Sequence, residues 1–292
     1  AAAVAEEVIE ADGLHLLRQD GWPRWDALDP DPCVRAKHVV LVLFDGLLAD
    51  ELNHLALDPD PSVDLPTFRA LAQAGAVYRH GAVVGFPSMS APGHTTAGTG
   101  LWPGHHGVVG NAFWDRAARA LINPFSILND PTTVFTDPDS LWALYDRMIA
   151  DGVETLAAAA HRALGPYDPA TGQGAYTAVF NEVTLGGADW TTLDHFGLGA
   201  EKLDLSEYRL ADRLALVQVQ RLLRAQDKPV PTTLQLSFVA TDRAGESTGP
   251  HSDTVREVLL DLDGHLARIR EAYAARGALD DDRIGYTLAL GI

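Results

Sequence analysis

Positive charge, cysteine and long apolar runs are all scarce in this 292-residue chain. Lys and Arg number 22 against 40 Asp and Glu, for a formal charge of −18. A phosphate backbone needs a basic footprint, so a binder of nucleic-acid polymers is excluded, as is a polybasic membrane-surface module. The single cysteine, Cys33, excludes an intrachain disulfide framework and a cysteine-rich zinc finger. No apolar run reaches the ~18 residues of a membrane-spanning helix, so no membrane insertion is expected. The chain reads as soluble, either in the cytoplasm or exported after removal of an N-terminal signal. Neither end reads as a natural boundary. The chain begins at Ala1 without Met and stops in the apolar run Tyr286–Ile292, which suggests a fragment or a processed and truncated chain.

What is present is a substantial core, with 47% hydrophobic residues. His38–Phe44 is a continuous β-branched and apolar run, as in a parallel strand buried on both faces. Further strands are expected over 82–84, 175–180, 232–239 and 285–290. Helices are expected over 1–18, 65–74, from Pro92 to Thr99, 141–150, 153–164, 209–223 and 252–275. The alternation predicts an α/β fold, a mostly parallel central sheet covered by helices on both faces. We expect a single domain over 1–292, with a cap or specificity insert within about 115–230.

Three segments carry chemistry. Asp45-Gly46 comes directly after the first strand, where ligands of open α/β sheets collect. A carboxylate there suits a hard or borderline cation, or it ends the strand and caps the next segment. Ser90 precedes Pro92, a residue suited to a first helical turn. A hydroxyl at that place meets free N–H groups and the positive end of the helix dipole, which receive oxyanions. It could equally be a simple N-cap. Asp242 and Glu246 are one helical turn apart just after a strand, able to share a divalent cation or to form an exposed acidic loop. The neighbouring His105 and His106 read as structural, because adjacent residues on a regular element seldom face one ion.

In combination these segments resemble the alkaline phosphatase superfamily, in its type I phosphodiesterase/nucleotide pyrophosphatase branch. The resemblance rests on Asp45-Gly46, on Ser90 upstream of Thr99-Gly100, on Pro103-Gly104-His105-His106-Gly107 with Asn111, and on Asp242-x-x-Gly245-Glu246-x-x-Gly249-Pro250. It spans roughly residues 38–115 and 232–270. It implies an alkaline phosphatase-like fold and a hydrolase of small phosphorylated substrates, working through a covalent Ser90 intermediate with two divalent metal ions, usually zinc. Asp45 and Ser90 would serve one metal, Asp242 and Glu246 the other. Asn111 and the backbone N–H of Ala91 would cradle the phosphoryl oxygens.

Two departures qualify the resemblance. Glu246 stands where the family has His, which would make that site harder and favour Mn or Mg, or disable it. The family also continues past its last core strand into Asp-His-Gly and a further His. Here the chain ends at that strand, and the only comparable pair, Asp194-His195, comes too early. Each metal is left with two protein ligands, where catalytic zinc takes three, so the chain alone is expected to bind metal poorly and turn over slowly or not at all. Other activities of the superfamily fit some of the residues. A sulfatase would share Ser90-x-Pro92 but place Arg at His94. A phosphonoacetate hydrolase is suggested by His106-Gly107, Asn111, Phe113 and Asn129-Asp130. A degenerate member that only binds a phosphorylated ligand is the non-enzymatic alternative. The oligomeric state is not legible in the sequence.

Overall fold

The computed structural model describes residues 37–57, 63–75, 77, 84–116, 119–123, 144–145, 147–191, 208–279 and 284–290. Within them a five-stranded sheet carries the fold. Its strands are β1 (His38–Phe44), β4 (Thr177–Phe180), β5 (Trp190–Thr191), β6 (Thr233–Phe238) and β7 (Ile284–Leu290), in the order β5-β4-β6-β1-β7. Every pairing is parallel, with Val39 opposite Thr233 and Gly285, and Phe44 opposite Phe238 and Leu290. A small antiparallel hairpin, β2 (Phe113–Asp115) with β3 (Ala120–Ile122), lies outside this sheet.

Alternation along the strands sends side chains to two different layers. Val40, Val42 and Phe44 of β1, with Leu234, Leu236 and Phe238 of β6, join one apolar cluster. Into it pack α2 (Pro66–Ala74), α6 (Tyr208–Arg224), α7 (Ala240–Thr248) and α8 (Asp253–Ala274). Val179 of β4 belongs to a second cluster with Ala91, Val108, Leu185 and Met148. On that side the buried polar residues of β6 and the loop after β4 bond to each other. Gln235 Nε2 donates to Thr184 Oγ1 at 3.1 Å, and Asn181 Nδ2 to the Ser237 carbonyl at 2.9 Å. A strand apolar on both faces thus ends up buried on both faces, as expected of a parallel sheet.

Helix ends are fixed by caps that the sequence signals locally. Ser252 accepts the Val255 N–H before α8, and Thr155 accepts the Ala158 N–H before α5 (Leu156–Leu164). Other caps come from far along the chain. Asp263 on α8 accepts the N–H groups of Thr67 and Phe68 at 2.9 Å each, covering donors that the first turn of α2 leaves free. Arg276 donates to the carbonyls of Leu223, Ala225 and Lys228 at the end of α6. Part of the acidic excess is therefore interior and structural.

The sequence expectations differ from the structure in detail. Val84 lies in irregular backbone rather than in a strand, and its expected partners 82–83 fall outside the described residues. The expected helix at 1–18, the start of the one at 141–150 and the pairs Asn129-Asp130 and Asp194-His195 also fall outside them. Three short helical segments were not anticipated: α1 (Ala49–Leu52), a π-helical turn at Asn53–Leu57, and α4 (Pro103–His106). No described helix is long and apolar enough to cross a membrane.

Candidate active site

Because β4, β6 and β1 are adjacent and parallel, the segments leaving their carboxyl ends emerge at one sheet edge. Asp45 comes after β1, Glu182 after β4, and Asp242 lies in the first turn of α7, which succeeds β6. The Asp45 N–H donates to the Phe238 carbonyl at 2.9 Å, extending the ladder by one bond. Its carbonyl accepts from Thr241 Oγ1 at 2.6 Å, pinning the start of α7 to the end of β1. Gly46 makes this junction possible. Its φ is +67°, and a Cβ there would sit 2.5 Å from Asp242 Cα and 2.8 Å from Asp242 Oδ1. Gly46→Ala should therefore cost more than the ~1 kcal/mol of an ordinary helical Gly/Ala difference. The check is a lowered thermal midpoint together with loss of activity, since Asp242 itself must move.

Negative charge accumulates at this edge. Asp45 is 5% exposed, and its Oδ1 has no hydrogen-bond partner among the described residues. Burial, followed by the negative charges of Asp45 and Glu246, pushes the Asp242 carboxyl up to about 6, against the opposing pull of His94 and Arg243. A bound cation would relieve both features. Glu246 is exposed, and its Oε2 lies 3.4 Å from Arg243 Nη1. Arg243 in turn lies over the Tyr208 ring at 5.9 Å. Among the described residues no three His, Cys, Asp or Glu side chains form a metal-holding group. Asp45 Oδ1, buried and without a hydrogen bond among the described residues, is a donor of the type a divalent cation takes.

Ser90 is the first residue of α3 (Ser90–Thr99). The N-cap is Met89, which makes no side-chain cap, so the Ser90 hydroxyl is not the capping group. Asn111 supplies that function instead, its Oδ1 accepting the Ala91 N–H at 2.9 Å. The Ala91 donor is thus engaged, and the Asn111 amide Nδ2 is the group carried beside the helix start. Thr95 and Thr99 return hydroxyl bonds to the carbonyls of Ala91 and Thr95. Gly98 lets α3 close on the segment after β4, because a Cβ there would meet Thr184 Oγ1 at 2.3 Å.

The link between α3 and the sheet edge is His94, one helical turn after Ser90 and so on the same face. Its buried ring places Nδ1 3.0 Å from both Glu182 oxygens, and Nε2 3.8 Å from Asp45 Oδ2 without a hydrogen bond. Burial alone would lower the imidazole pKa. The charge of Glu182 and the nearness of Asp45 outweigh it, and the group is raised to about 10. Neither His94 nor Glu182 stands out as a site residue in the sequence. The available signals are the spacing of His94 from Ser90 and a second carboxylate just past a strand end.

The histidine pair separates. His105 is exposed, whereas His106 is buried, its Nδ1 accepting the Val108 N–H at 3.1 Å and its Nε2 lying 3.2 Å from Thr96 Oγ1. Burial lowers its pKa. It ties α4 to α3.

Asp212 on α6 holds the start of α7 from behind. It accepts the N–H groups of Val239 and Ala240 at 2.7 and 3.1 Å. Burial raises its carboxyl to about 7, against the pull of those two bonds. A raised folded-state value means that its contribution is fully present below the ordinary pKa of about 4 and is lost as pH climbs through about 7. Asp212→Asn should therefore gain on wild type by a few kcal/mol, in order of magnitude, between about pH 4 and 8. Denaturant unfolding of both proteins across that range checks the slope.

Known proteins share this arrangement of sheet and helices. No curated protein sequence matches the chain at a significant level. Among solved structures, human ectonucleotide pyrophosphatase/phosphodiesterase 5 is 17% identical with a TM-score of 0.57, over 86% of this chain and 55% of that one. An inactive variant of the murine protein in complex with AMP is 17% identical with a TM-score of 0.54, over 87% and 56%. Phosphonoacetate hydrolase from Sinorhizobium meliloti 1021, in complex with phosphonoformate, is 17% identical with a TM-score of 0.52, over 82% and 53%. The chain thus spans about half the length of these structures, and the shared fold is alkaline phosphatase-like. The family description "Type I phosphodiesterase / nucleotide pyrophosphatase" matches residues 39–284, from β1 into β7. With that match running from β1 through β6 and taking in the strand-end carboxylates, the chain belongs to the type I phosphodiesterase/nucleotide pyrophosphatase family.

Proposed function

We propose that the protein is a metal-dependent hydrolase of phosphoric esters, of the phosphodiester or nucleotide pyrophosphate type, working through a phosphoryl group carried on Ser90. The observation that carries this reading is the meeting of α3 with the sheet edge. There a helix-start serine free of capping duty shares a face with His94, and His94 reaches a buried Asp45 whose Oδ1 has no partner among the described residues.

In this reading Asp45 and Ser90 would hold one ion, and Asp242 and Glu246 a second. Such ions, zinc or the harder Mn or Mg, would supply Lewis-acid stabilisation of charge on the attacking and phosphoryl oxygens. The chain's own residues do the rest. Ser90 Oγ bonds to phosphorus as the bond from phosphorus to the leaving oxygen breaks, and that oxygen departs with the electron pair. The serine proton ends, in net balance, on the leaving group. Water then bonds to phosphorus, the Ser90–phosphorus bond breaks, and a water proton restores the hydroxyl. Asn111, held by its bond from Ala91, presents its amide N–H to a phosphoryl oxygen. The positive end of α3 favours the anion at the same place.

At −18 the protein repels phosphate at long range, so cations at the edge are also needed to reverse the local field. The AMP complex of the murine neighbour supports a small nucleotide-like substrate, and the phosphonoacetate hydrolase neighbour keeps a phosphonate in view. The test is one panel: bis-p-nitrophenyl phosphate, p-nitrophenyl phosphate, p-nitrophenyl sulfate and phosphonoacetate. Assayed with the full-length protein, hydrolysis of the diester above the others, abolished by chelator and restored by metal, is expected. Preference for the sulfate or the phosphonate would overturn the assignment.

A further inference from the structure

Positive charge is scarce in this chain, yet three arginines line one groove. It lies where α6, α7 and α8 meet, encloses about 420 Å³ and opens to solvent. Arg209 and Arg213 are one turn apart on α6, Arg243 and Ala244 come from α7, and Thr254 and Val258 from α8. No acidic side chain lines it among the described residues, in a chain with 40 Asp and Glu. Ala244 and Val258 belong to the main apolar cluster and form the floor. Neither Asp45, Ser90 nor Asp242 lines the groove.

The three guanidinium groups differ in what they already hold. Arg209 is neutralised, its Nε and Nη2 donating to Asp261 and its Nη1 lying 3.8 Å from Glu257. Arg243 is steadied over the Tyr208 ring, and its contact with Glu246 is an exposed pair that water screens. Arg213 makes no ion pair among the described residues. Its Nε donates to the Arg209 carbonyl at 3.2 Å, which anchors the side chain and leaves both Nη groups to the groove. The Ser247 hydroxyl is spent on the Arg243 carbonyl, whereas that of Thr254 has no partner among the described residues.

We propose that this groove is a second ligand site, away from the sheet edge, and that it takes a small organic phosphate. Guanidinium forks match phosphate oxygens in pairs, and the charges of Arg213 and Arg243 match the two of a phosphomonoester. A carboxylate offers one charge and two oxygens, too few for two arginines and the Thr254 hydroxyl. The apolar floor takes the organic body, and the volume is that of a small-molecule site. The inference goes beyond the hydrolase reading and needs no metal.

The test is calorimetric titration of the full chain with AMP, inorganic phosphate and adenosine, in chelator and at fixed ionic strength. AMP is expected to bind at one saturable site, more tightly than phosphate, and adenosine not at all. Arg213→Gln and Arg243→Gln, both at exposed positions, should each weaken AMP about tenfold or more at native far-UV circular dichroism. Arg162→Gln, at an exposed arginine of α5 outside the groove, should leave the affinity unchanged. No saturable binding, or binding that Arg213→Gln and Arg243→Gln leave intact, would overturn the site. An equal loss in Arg162→Gln would reduce it to diffuse surface charge. Adenosine binding as tightly as AMP would overturn the anion assignment, and phosphate binding as tightly as AMP the organic one.

Discussion

Replacing Ser90 with alanine is expected to lower kcat by at least about 10³-fold, some 4 kcal/mol of transition-state stabilisation. Binding of a non-hydrolysable phosphate ester should change little. Ser90 opens α3 without capping it, so the hydroxyl contributes little to the stability of the helix. Asn111 already covers the Ala91 donor, and Thr95 covers the Ala91 carbonyl, so the backbone of the first turn stays satisfied in the variant. The loss is therefore one of chemistry. Circular dichroism and thermal unfolding should match wild type while the diesterase rate collapses. A variant that retained more than a few per cent of the rate would show that another group attacks phosphorus.

The second large effect is on stability. His94→Ala removes the imidazole that holds both oxygens of a wholly buried carboxylate, Glu182, and leaves Asp45 facing a void. Breaking a buried ion pair from one side costs about 3–5 kcal/mol, because the remaining charge is neither solvated nor compensated. In a domain of this size that lowers the thermal midpoint by roughly 10 °C. Neutralising the abandoned acid should recover part of the loss, so His94→Gln/Glu182→Gln is expected to be more stable than His94→Ala. Thermal unfolding in chelator, arranged as a double-mutant cycle, reads the coupling directly. A midpoint for His94→Ala within a degree or two of wild type would show that the pair contributes little to the fold.

The sheet was legible wherever its physics is local. A strand such as His38–Phe44, apolar at nearly every position, admits few other environments, and β6 shows the strict alternation of Leu234, Leu236 and Phe238 with polar residues. Ser252 and Thr155 announce the helices they cap. Short elements were not legible. The four-residue helices and the two-residue β5 have too few positions to show a period, and they exist because neighbouring elements hold them.

The same division runs through the site. Asp45, Ser90 and Asp242 are visible because each sits beside a strand end or a helix start. The His94–Glu182 contact joins residues 88 positions apart, and nothing in either local sequence announces it. Glu246 shows the converse. Its spacing from Asp242 is helical as expected, yet its side chain is exposed beside Arg243, a neighbour on the same helix. The acidic excess likewise resolves into distinct uses. Asp212 and Asp263 cap helices from a distance, whereas Asp45 keeps a buried oxygen with no bond among the described residues.

Whether Ser90 carries the phosphoryl group is tested most directly by acid quenching during turnover of a diester, followed by peptide mass spectrometry. The predicted result is a phosphodiester adduct on the peptide that contains Ser90, its phosphorus still carrying the ester group that was not displaced, formed in the presence of metal and absent in Ser90→Ala. Sustained metal-dependent turnover with no adduct on that peptide at any quench time would contradict it.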